Sequence, residues 1–66
     1  MENRIRVARA EVRMTQQQLA EAVGVSRQTI HAIENGRFVP STVLALKIAH
    51  LFAKPVEELF LLEAGD

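Results

Sequence analysis

The apolar residues of this chain recur at the spacing of short amphipathic helices. Leu19, Ala20 and Val23 fall on one face of a first helix, and Ile30 and Ile33 fall on one face of a second. Steps of three and four residues between apolar positions are typical of a helix that buries a single stripe. The pattern therefore predicts two short helices that follow each other closely.

Capping residues mark where these two helices begin and end. Thr15 fits an N-cap, with Gln18 three residues later to complete a capping box. Gly24 stands where the first helix can end in left-handed geometry, which costs glycine nothing. Only Val25 separates Gly24 from Ser26, a candidate N-cap for the second helix. Two helices joined this tightly must cross steeply, at the ~90–120° of a helix-turn-helix.

The same signals along the rest of the 66 residues predict an all-α fold with five helices. We expect these helices at residues 3–13, 16–23, 27–35 and 42–52, with a last one that starts at Pro55. In the first helix, Ile5, Ala8 and Val12 are expected to face inward. Phe38, in the loop before the fourth helix, is expected to plug the core from there.

The exposed side of the third helix carries a polar stripe. Its members follow the 0, 1, 4, 5, 8 spacing of one helical face, and they are Arg27, Gln28, His31, Ala32 and Asn35. The stripe has a cation, two amides, an imidazole and a methyl group, and it has no acidic group. Each of these side chains can hydrogen-bond to base edges or pack against them, so the stripe suits the major groove of DNA.

A set of spaced residues through most of the chain resembles one known family. The set comprises Gln16, Leu19, Ala20, Gly24, Val25-Ser26, Ile30, Ile33-Glu34-Asn35-Gly36 and Pro40-Ser41. It resembles the Cro/C1 (Xre) type of helix-turn-helix transcriptional regulator, and it is similar to the small stand-alone members of the cytolysin-repressor kind. The resemblance runs from about Ile5 to Phe60. It implies a phage-repressor-like, five-helix DNA-binding domain, with a short C-terminal strand at a dimer interface.

The resemblance places Arg27 and Gln28 at the end of the third helix that enters the groove most deeply. Arginine can bond guanine, and glutamine can bond adenine, with two hydrogen bonds each. A phosphate contact for Arg27 stays open, and His31 can contact either a base or a phosphate. Ala32 can touch a thymine methyl group, or it can simply be small enough to permit close approach.

Other residues are expected to hold the DNA backbone or to brace the site. In the resembled family, the residue matching Gln16 bonds a phosphate and braces the recognition helix, and the residues matching Asn35 and Arg37 hold phosphates. Ser26 and Thr29 can reach phosphates or can simply cap the helix. The resemblance also implies a structural ion pair between Arg9 and Glu34.

Composition narrows the classes of function. With no cysteine, the chain can form neither disulfides nor thiolate metal sites, which agrees with a cytoplasmic location. The formal net charge is zero, yet residues 1–40 carry six arginines against four glutamates, and residues 41–66 carry two lysines against four acids. The half with the helix pair is thus the basic half, as phosphate contact requires. We expect no membrane span, no signal peptide, no metal, no cofactor and no small-molecule ligand.

Two apolar features exceed what a monomer of five helices needs. Val43, Leu46 and His50 form a second stripe on the fourth helix, and Leu61 and Leu62 follow the last helix. An exposed apolar patch of this kind usually marks a partner. We expect a homodimer through a region at about 43–63, within a single domain of 1–66 whose helix-turn-helix core is 15–36. The alternative is that Val43 and Leu46 lie against the Phe38 loop.

These observations favour a dimeric, sequence-specific DNA-binding regulator, most simply a repressor that reads an inverted repeat in double-stranded DNA. An antitoxin of a toxin–antitoxin pair is an alternative, although no extra segment for covering a toxin is evident. A helical protein-interaction module is a second alternative, against which the polar stripe argues. An enzyme is not indicated, because the sequence has no phosphate loop, ligand cluster or nucleophile–base pair.

Overall fold

The computed structural model describes all 66 residues, and it contains five helices and a two-stranded sheet. The elements in chain order are β1 (Glu2–Asn3), α1 (Ile5–Glu11), α2 (Gln16–Val23), α3 (Arg27–Glu34), α4 (Thr42–Phe52), α5 (Val56–Leu59) and β2 (Phe60–Leu61). The predicted five-helix architecture is thus confirmed. None of the helices combines the length and apolar character needed to cross a membrane.

The helix-turn-helix unit forms because local capping signals agree with the apolar pattern. The Thr15 hydroxyl accepts a hydrogen bond from the Gln18 backbone N–H at 3.0 Å, and the Gln18 side chain accepts one from the Thr15 N–H at 2.9 Å. Gly24 ends α2 in the left-handed conformation, with φ 79°. The Ser26 hydroxyl then caps α3 by accepting from the Thr29 N–H at 3.1 Å. These bonds confirm the predicted capping box and fix the tight turn between α2 and α3.

The core lies where the helices meet. Its fully buried members include Ile5 from α1, Ala20 from α2, Ile30 from α3 and Ile48 from α4, each with 0% exposure. Ala20 is buried between α2 and its neighbours, where a larger side chain would push the helices apart. This packing holds α3 at the surface with one face in the core.

The prediction for α1 is wrong at both ends. The helix runs from Ile5 to Glu11 rather than over 3–13, because Asn3 belongs to β1. At the other end, Arg13 adopts the left-handed conformation with φ 55°, and the Met14 N–H turns back to the Arg9 carbonyl at 2.9 Å. Val12 therefore leaves the helical face and is 58% exposed instead of facing inward.

The loop before α4 also differs from its prediction. Phe38 is 48% exposed and does not plug the core. The buried residue of this loop is instead Pro40. After the loop, α4 begins and ends as predicted, with the Ser41 hydroxyl accepting from the Leu44 N–H at 3.1 Å. Pro55 is the N-cap of α5 rather than its first residue. The third helix ends at Glu34, with Asn35 as its C-cap.

The two strands join the ends of the chain. β1 pairs antiparallel with β2, with Glu2 opposite Leu61 and Asn3 opposite Phe60. The Arg4 N–H adds a further bond to the Leu59 carbonyl at 2.8 Å. The C-terminal segment is thus extended at Phe60–Leu61, as the resemblance implied, and its partner in the structure is the N-terminus of the same chain.

Candidate nucleic-acid interface

The third helix presents two chemically different faces. Its apolar residues Ile30 and Ile33 are buried in the core. The residues of the predicted stripe lie on the other side, where Ala32 is half-buried and four are exposed, namely Arg27, Gln28, His31 and Asn35. The guanidinium of Arg27 and the amide of Gln28 make no hydrogen bond or ion pair within the chain. Both groups are therefore free to bond a ligand placed against α3.

Asn35 and His31 hold each other at the end of α3. The Asn35 Nδ2 donates to the His31 backbone carbonyl at 2.8 Å and lies 3.2 Å from the His31 Nε2. The orientation of the amide is fixed, because its oxygen would be repelled by that carbonyl. One amide hydrogen of Asn35 is thus engaged by the carbonyl, the other lies near the imidazole, and the Asn35 backbone N–H also bonds to the His31 carbonyl at 3.1 Å. Asn35 presents an acceptor oxygen, so the phosphate role expected of it would require its side chain to turn.

Ser26 and Thr29 are also bonded within the chain. Their hydroxyl groups lie 3.0 Å apart, and the Ser26 hydroxyl accepts from the Thr29 N–H as the helix cap. Because a hydroxyl can donate and accept at once, one hydroxyl hydrogen of the pair stays available to a phosphate. The capping role is therefore present in the structure, and it does not exclude the phosphate role.

Glu34 is the centre of a polar network that joins α3 to α1 and α2. Its carboxylate accepts from the Arg9 Nε at 2.6 Å and from the second Arg9 nitrogen, Nη2, at 2.9 Å. The Gln16 Nε2 donates to the same carboxylate at 3.1 Å, and the Arg6 Nε lies 3.5 Å away. The structure thus brings together Arg9 and Glu34, the two residues expected to pair, and it adds Gln16 and Arg6 to them.

The network keeps Glu34 ionised although its side chain has 0% exposure. Burial opposes the charged form, but the hydrogen bonds from Arg9 and Gln16 outweigh it and hold the pKa of the Glu34 carboxyl below its usual value. The same pairing raises the pKa of Arg9. Arg9 also donates to the Met14 carbonyl at 2.9 Å, so one guanidinium joins α1, the α1–α2 connection and α3.

Sequence reasoning missed two residues that contact this site. Arg6 is three residues before Arg9 on α1, so the helical period alone could have placed it near Glu34. Asn3 donates from its side-chain amide to the Ile33 carbonyl, near the end of α3, at 2.8 Å. Nothing in the sequence signalled that contact, because it depends on the pairing of the two chain ends. Arg37, just beyond Gly36, is exposed and makes no side-chain bond within the chain.

The residues expected at a dimer interface lie on two separate surfaces. Val43 (64% exposed), Leu46 (54%) and His50 line an open groove between α4 and the end of α2, with Leu51, Glu21 and Lys47 beside them. Leu61 lines a different cleft, against α1 and α5. Leu62 is 82% exposed. Val43, Leu46 and Phe38 of the loop before α4 are all exposed (64%, 54% and 48%).

No cluster of three or more histidine, aspartate or glutamate side chains is arranged to hold a metal ion. His31 lies next to Asn35 and not next to a carboxylate. The exposed polar groups of α3 are thus carried on a helix whose last residue, Glu34, is bonded to α1 and α2.

The chain is similar to known proteins both in sequence and in structure. The helix-turn-helix family HTH_3 matches residues 5–59. The chain is 48% identical over 63 residues to the uncharacterised HTH-type transcriptional regulator YgzD of Bacillus subtilis, covering 96% of each chain. It is also 48% identical, over the full length of both chains, to the HTH-type regulator MJ0272 of Methanocaldococcus jannaschii. Among solved structures, the clp gene regulator ClgR from Corynebacterium glutamicum matches with a TM-score of 0.76 and 31% identity, over 82% of this chain and 57% of that one.

Proposed function

Because this chain belongs to the helix-turn-helix family of DNA-binding transcriptional regulators, we propose that it reads a specific operator through α3 placed in the major groove. The observation that carries this proposal is the contrast between the two faces of α3. One face is locked in the core by Ile30 and Ile33, and the other exposes free hydrogen-bonding groups with no carboxylate among them. Such a helix can meet DNA as a rigid unit.

The base-reading residues of the proposal are Arg27, Gln28, His31 and Ala32. Arg27 and Gln28 stand in the first turn of α3, which reaches furthest into the groove in this type of motif. Each can make two hydrogen bonds to one base, to guanine and adenine respectively. Glu34, the acidic residue of α3, is turned away from this face and neutralised by Arg9. The electrostatics of the exposed face thus favour a polyanion.

The contacts to the DNA backbone in this proposal come from both ends of α3 and from the start of α2. Arg37 supplies a free cation beyond the C-terminus of α3, and Ser26 and Thr29 supply a hydroxyl at its N-terminus. The Gln16 side-chain amide donates one hydrogen to Glu34, and its second hydrogen is available to a phosphate. Asn35 joins them only if its amide turns away from His31. Contacts of this kind fix orientation and carry no sequence information.

We propose further that the regulator acts in the cytoplasm as a homodimeric repressor on an inverted repeat. One recognition helix covers too few base pairs for useful selection in a genome, and two related by a two-fold axis would meet successive major grooves ~34 Å apart. The groove with Val43, Leu46 and His50 is the first candidate for the interface, because three of its apolar side chains are exposed. Leu61 and Leu62 form the second candidate.

Selection from a pool of random duplexes tests the proposal. The native protein should enrich an inverted repeat whose half-sites are separated by about one helical turn, roughly 10 base pairs. Enrichment of a single half-site would support reading by α3 and contradict the dimer. Failure to enrich any sequence, with binding that depends only on salt, would contradict sequence-specific reading.

A further inference from the structure

Asn3 connects three parts of the fold that are distant in sequence. Its backbone lies in β1, opposite Phe60 of β2. Its side-chain oxygen accepts from the Ile5 N–H at 3.3 Å, in the first turn of α1. Its side-chain nitrogen donates to the Ile33 carbonyl at 2.8 Å. We infer that Asn3 is a positioning residue for DNA reading, which ties the two-stranded sheet to the end of α3. This inference rests on the function proposed above.

The acceptor of that bond, the Ile33 carbonyl, lies in the last turn of α3. The Ile33 carbonyl also accepts from the Gly36 N–H at 3.0 Å, and the Arg37 N–H bonds to the Ala32 carbonyl at 2.9 Å. These two bonds form the left-handed cap that ends α3, with φ 73° at Gly36. Asn3 therefore holds the turn from which Arg37 projects towards the proposed phosphate contact.

No other hydrogen bond or ion pair joins the two-stranded sheet to α3. The ion pairs that reach the end of α3 converge on Glu34, just before the cap, and they come from α1 and not from the sheet. An open cleft beside the sheet and the end of α3 is lined by residues of both, among them Glu2, Leu61, Glu34 and Gly36. The bond from Asn3, which also lines this cleft, is thus the direct polar link between the sheet and α3.

For function, the hydrogen bond from Asn3 would connect the paired chain ends to the helix that is proposed to read DNA. Loss of the link would let the cap at Gly36 and Arg37, which lies beyond the residue held by the Glu34 network, move relative to the body of the domain. Because the phosphate contact of Arg37 would help to fix the orientation of α3 in the groove, a displaced cap would weaken contacts made at fixed distances to base edges, while diffuse attraction to phosphates would change little. The effect expected of Asn3 is thus on discrimination between sequences.

Two variants separate the bonds that Asn3 makes. Asn3→Ala removes both side-chain bonds, and Asn3→Asp keeps an acceptor for the Ile5 N–H while removing the donor to Ile33. Glu2→Gln serves as the control on the same strand, since the Glu2 side chain is exposed and makes no bond within the chain. Each protein is titrated with the selected operator and with a scrambled duplex of equal length and composition. Amide hydrogen exchange is measured on the same samples without DNA.

We expect both Asn3 variants to lower the ratio of operator to scrambled affinity about fivefold, the effect of one ordinary hydrogen bond, and Glu2→Gln to leave it unchanged. Without DNA, exchange at the Gly36 and Arg37 amides should accelerate relative to the Ile48 amide in α4. Equal losses on both duplexes, or equal acceleration at Ile48, would show that Asn3 only stabilises the fold and would overturn the inference while the proposed function stands. A native protein that discriminates no duplex would overturn both.

Discussion

Glu34 is the one acidic residue of the helix that faces DNA in our account, and its surroundings explain how it can be there. The carboxylate has no exposed surface and is met by three donors from two other helices. A buried carboxylate without such partners would take up a proton or destabilise the fold. Here the same contacts that neutralise the charge also fix α1 and α2 against α3.

Removing one partner of this pair should cost much more stability than an ordinary surface change. Glu34→Ala leaves the Arg9 guanidinium, whose side chain is only 14% exposed, without its carboxylate. We expect a loss of about 3 kcal/mol in the free energy of unfolding, because a stranded, largely buried charge is strongly unfavourable. Urea unfolding of Glu34→Ala, of Arg9→Met and of the double variant gives the coupling between the two residues. A coupling near zero would mean that the pair does not stabilise the protein.

At the scale of the elements, each of the four connections between consecutive helices contains a residue in the left-handed conformation, close to the end of the preceding helix. Gly24 and Gly36 follow α2 and α3 in the left-handed conformation, which glycine adopts without strain. Arg13 and Ala53 take the same conformation after α1 and α4, with φ of 55° and 53°. After α4, the Lys54 N–H bonds to the Ala49 carbonyl and the Ala53 N–H to the His50 carbonyl, both at 3.1 Å. The geometry of a glycine cap is thus imposed on residues that have a Cβ atom.

The strain at the end of α4 should be relieved by Ala53→Gly. Left-handed geometry costs an L-residue about 1–2 kcal/mol, whereas the greater freedom of glycine in the unfolded chain costs about 0.4–1 kcal/mol. We therefore expect a net gain of about 0.5–1 kcal/mol, measured as a rise in the thermal midpoint. Ala10→Gly is the matched control, since Ala10 is exposed within α1 and should lose about 1 kcal/mol. A loss of stability in both variants would contradict the strain at Ala53.

The elements that the sequence predicts well are those specified by neighbouring residues. The bounds of α2 and α4 follow from apolar spacing together with the caps at Thr15 and Ser41, all within a few residues of one another. α1 was predicted too long because Arg13 ends it without the glycine that would signal an end. The resemblance implies the C-terminal strand, but no pattern indicates β1, because β1 is defined only by its pairing with residues almost sixty positions away.

In the candidate site, too, features specified by neighbouring residues follow from the sequence, and features that depend on distant contacts do not. The exposed stripe of α3 follows from helical period alone, and its members lie on one side of the helix as predicted, with Ala32 half-buried. The approach of Arg9 to Glu34 was available only through family resemblance, since no local pattern relates α1 to α3. Asn3 could not be foreseen by either route. The detail at Asn35, whose amide is turned to His31, depends on side-chain geometry that spacing does not determine.

At the scale of the whole molecule, the apolar surface that remains exposed matters for stability as well as for assembly. A domain of 66 residues buries a small core, and only 13 of its residues are buried here. Covering the groove beside α4 with a second copy would bury Val43 and Leu46 and would make stability depend on protein concentration. Glu21 and Lys47 at the groove's edge could then pair across a two-fold axis.

Two valines with nearly equal exposure allow a matched test of this assembly. Val43 lies in the groove and is 64% exposed, whereas Val39 lies in the loop before α4 and is 63% exposed. By sedimentation at micromolar concentration we expect the native protein and Val39→Glu to be dimers and Val43→Glu to be a monomer. A dimeric Val43→Glu would remove the groove from the interface and leave the surface at Leu61 and Leu62, which Leu62→Glu tests in turn. A native protein that is monomeric alone and on its operator would contradict the dimer altogether.

The claim on which the whole account depends is that the exposed stripe of α3 reads base sequence. Its most direct measurement is the affinity of Gln28→Ala for the selected operator and for a scrambled duplex, with Gln17→Ala as the matched control. Gln17 is an exposed glutamine on α2 that bonds only to Glu21 on its own helix. We expect Gln28→Ala to lose about 1–3 kcal/mol on the operator alone and to relax the preference at one position, while Gln17→Ala behaves like the native protein. Equal losses on the operator and on the scrambled duplex for Gln28→Ala would contradict the claim.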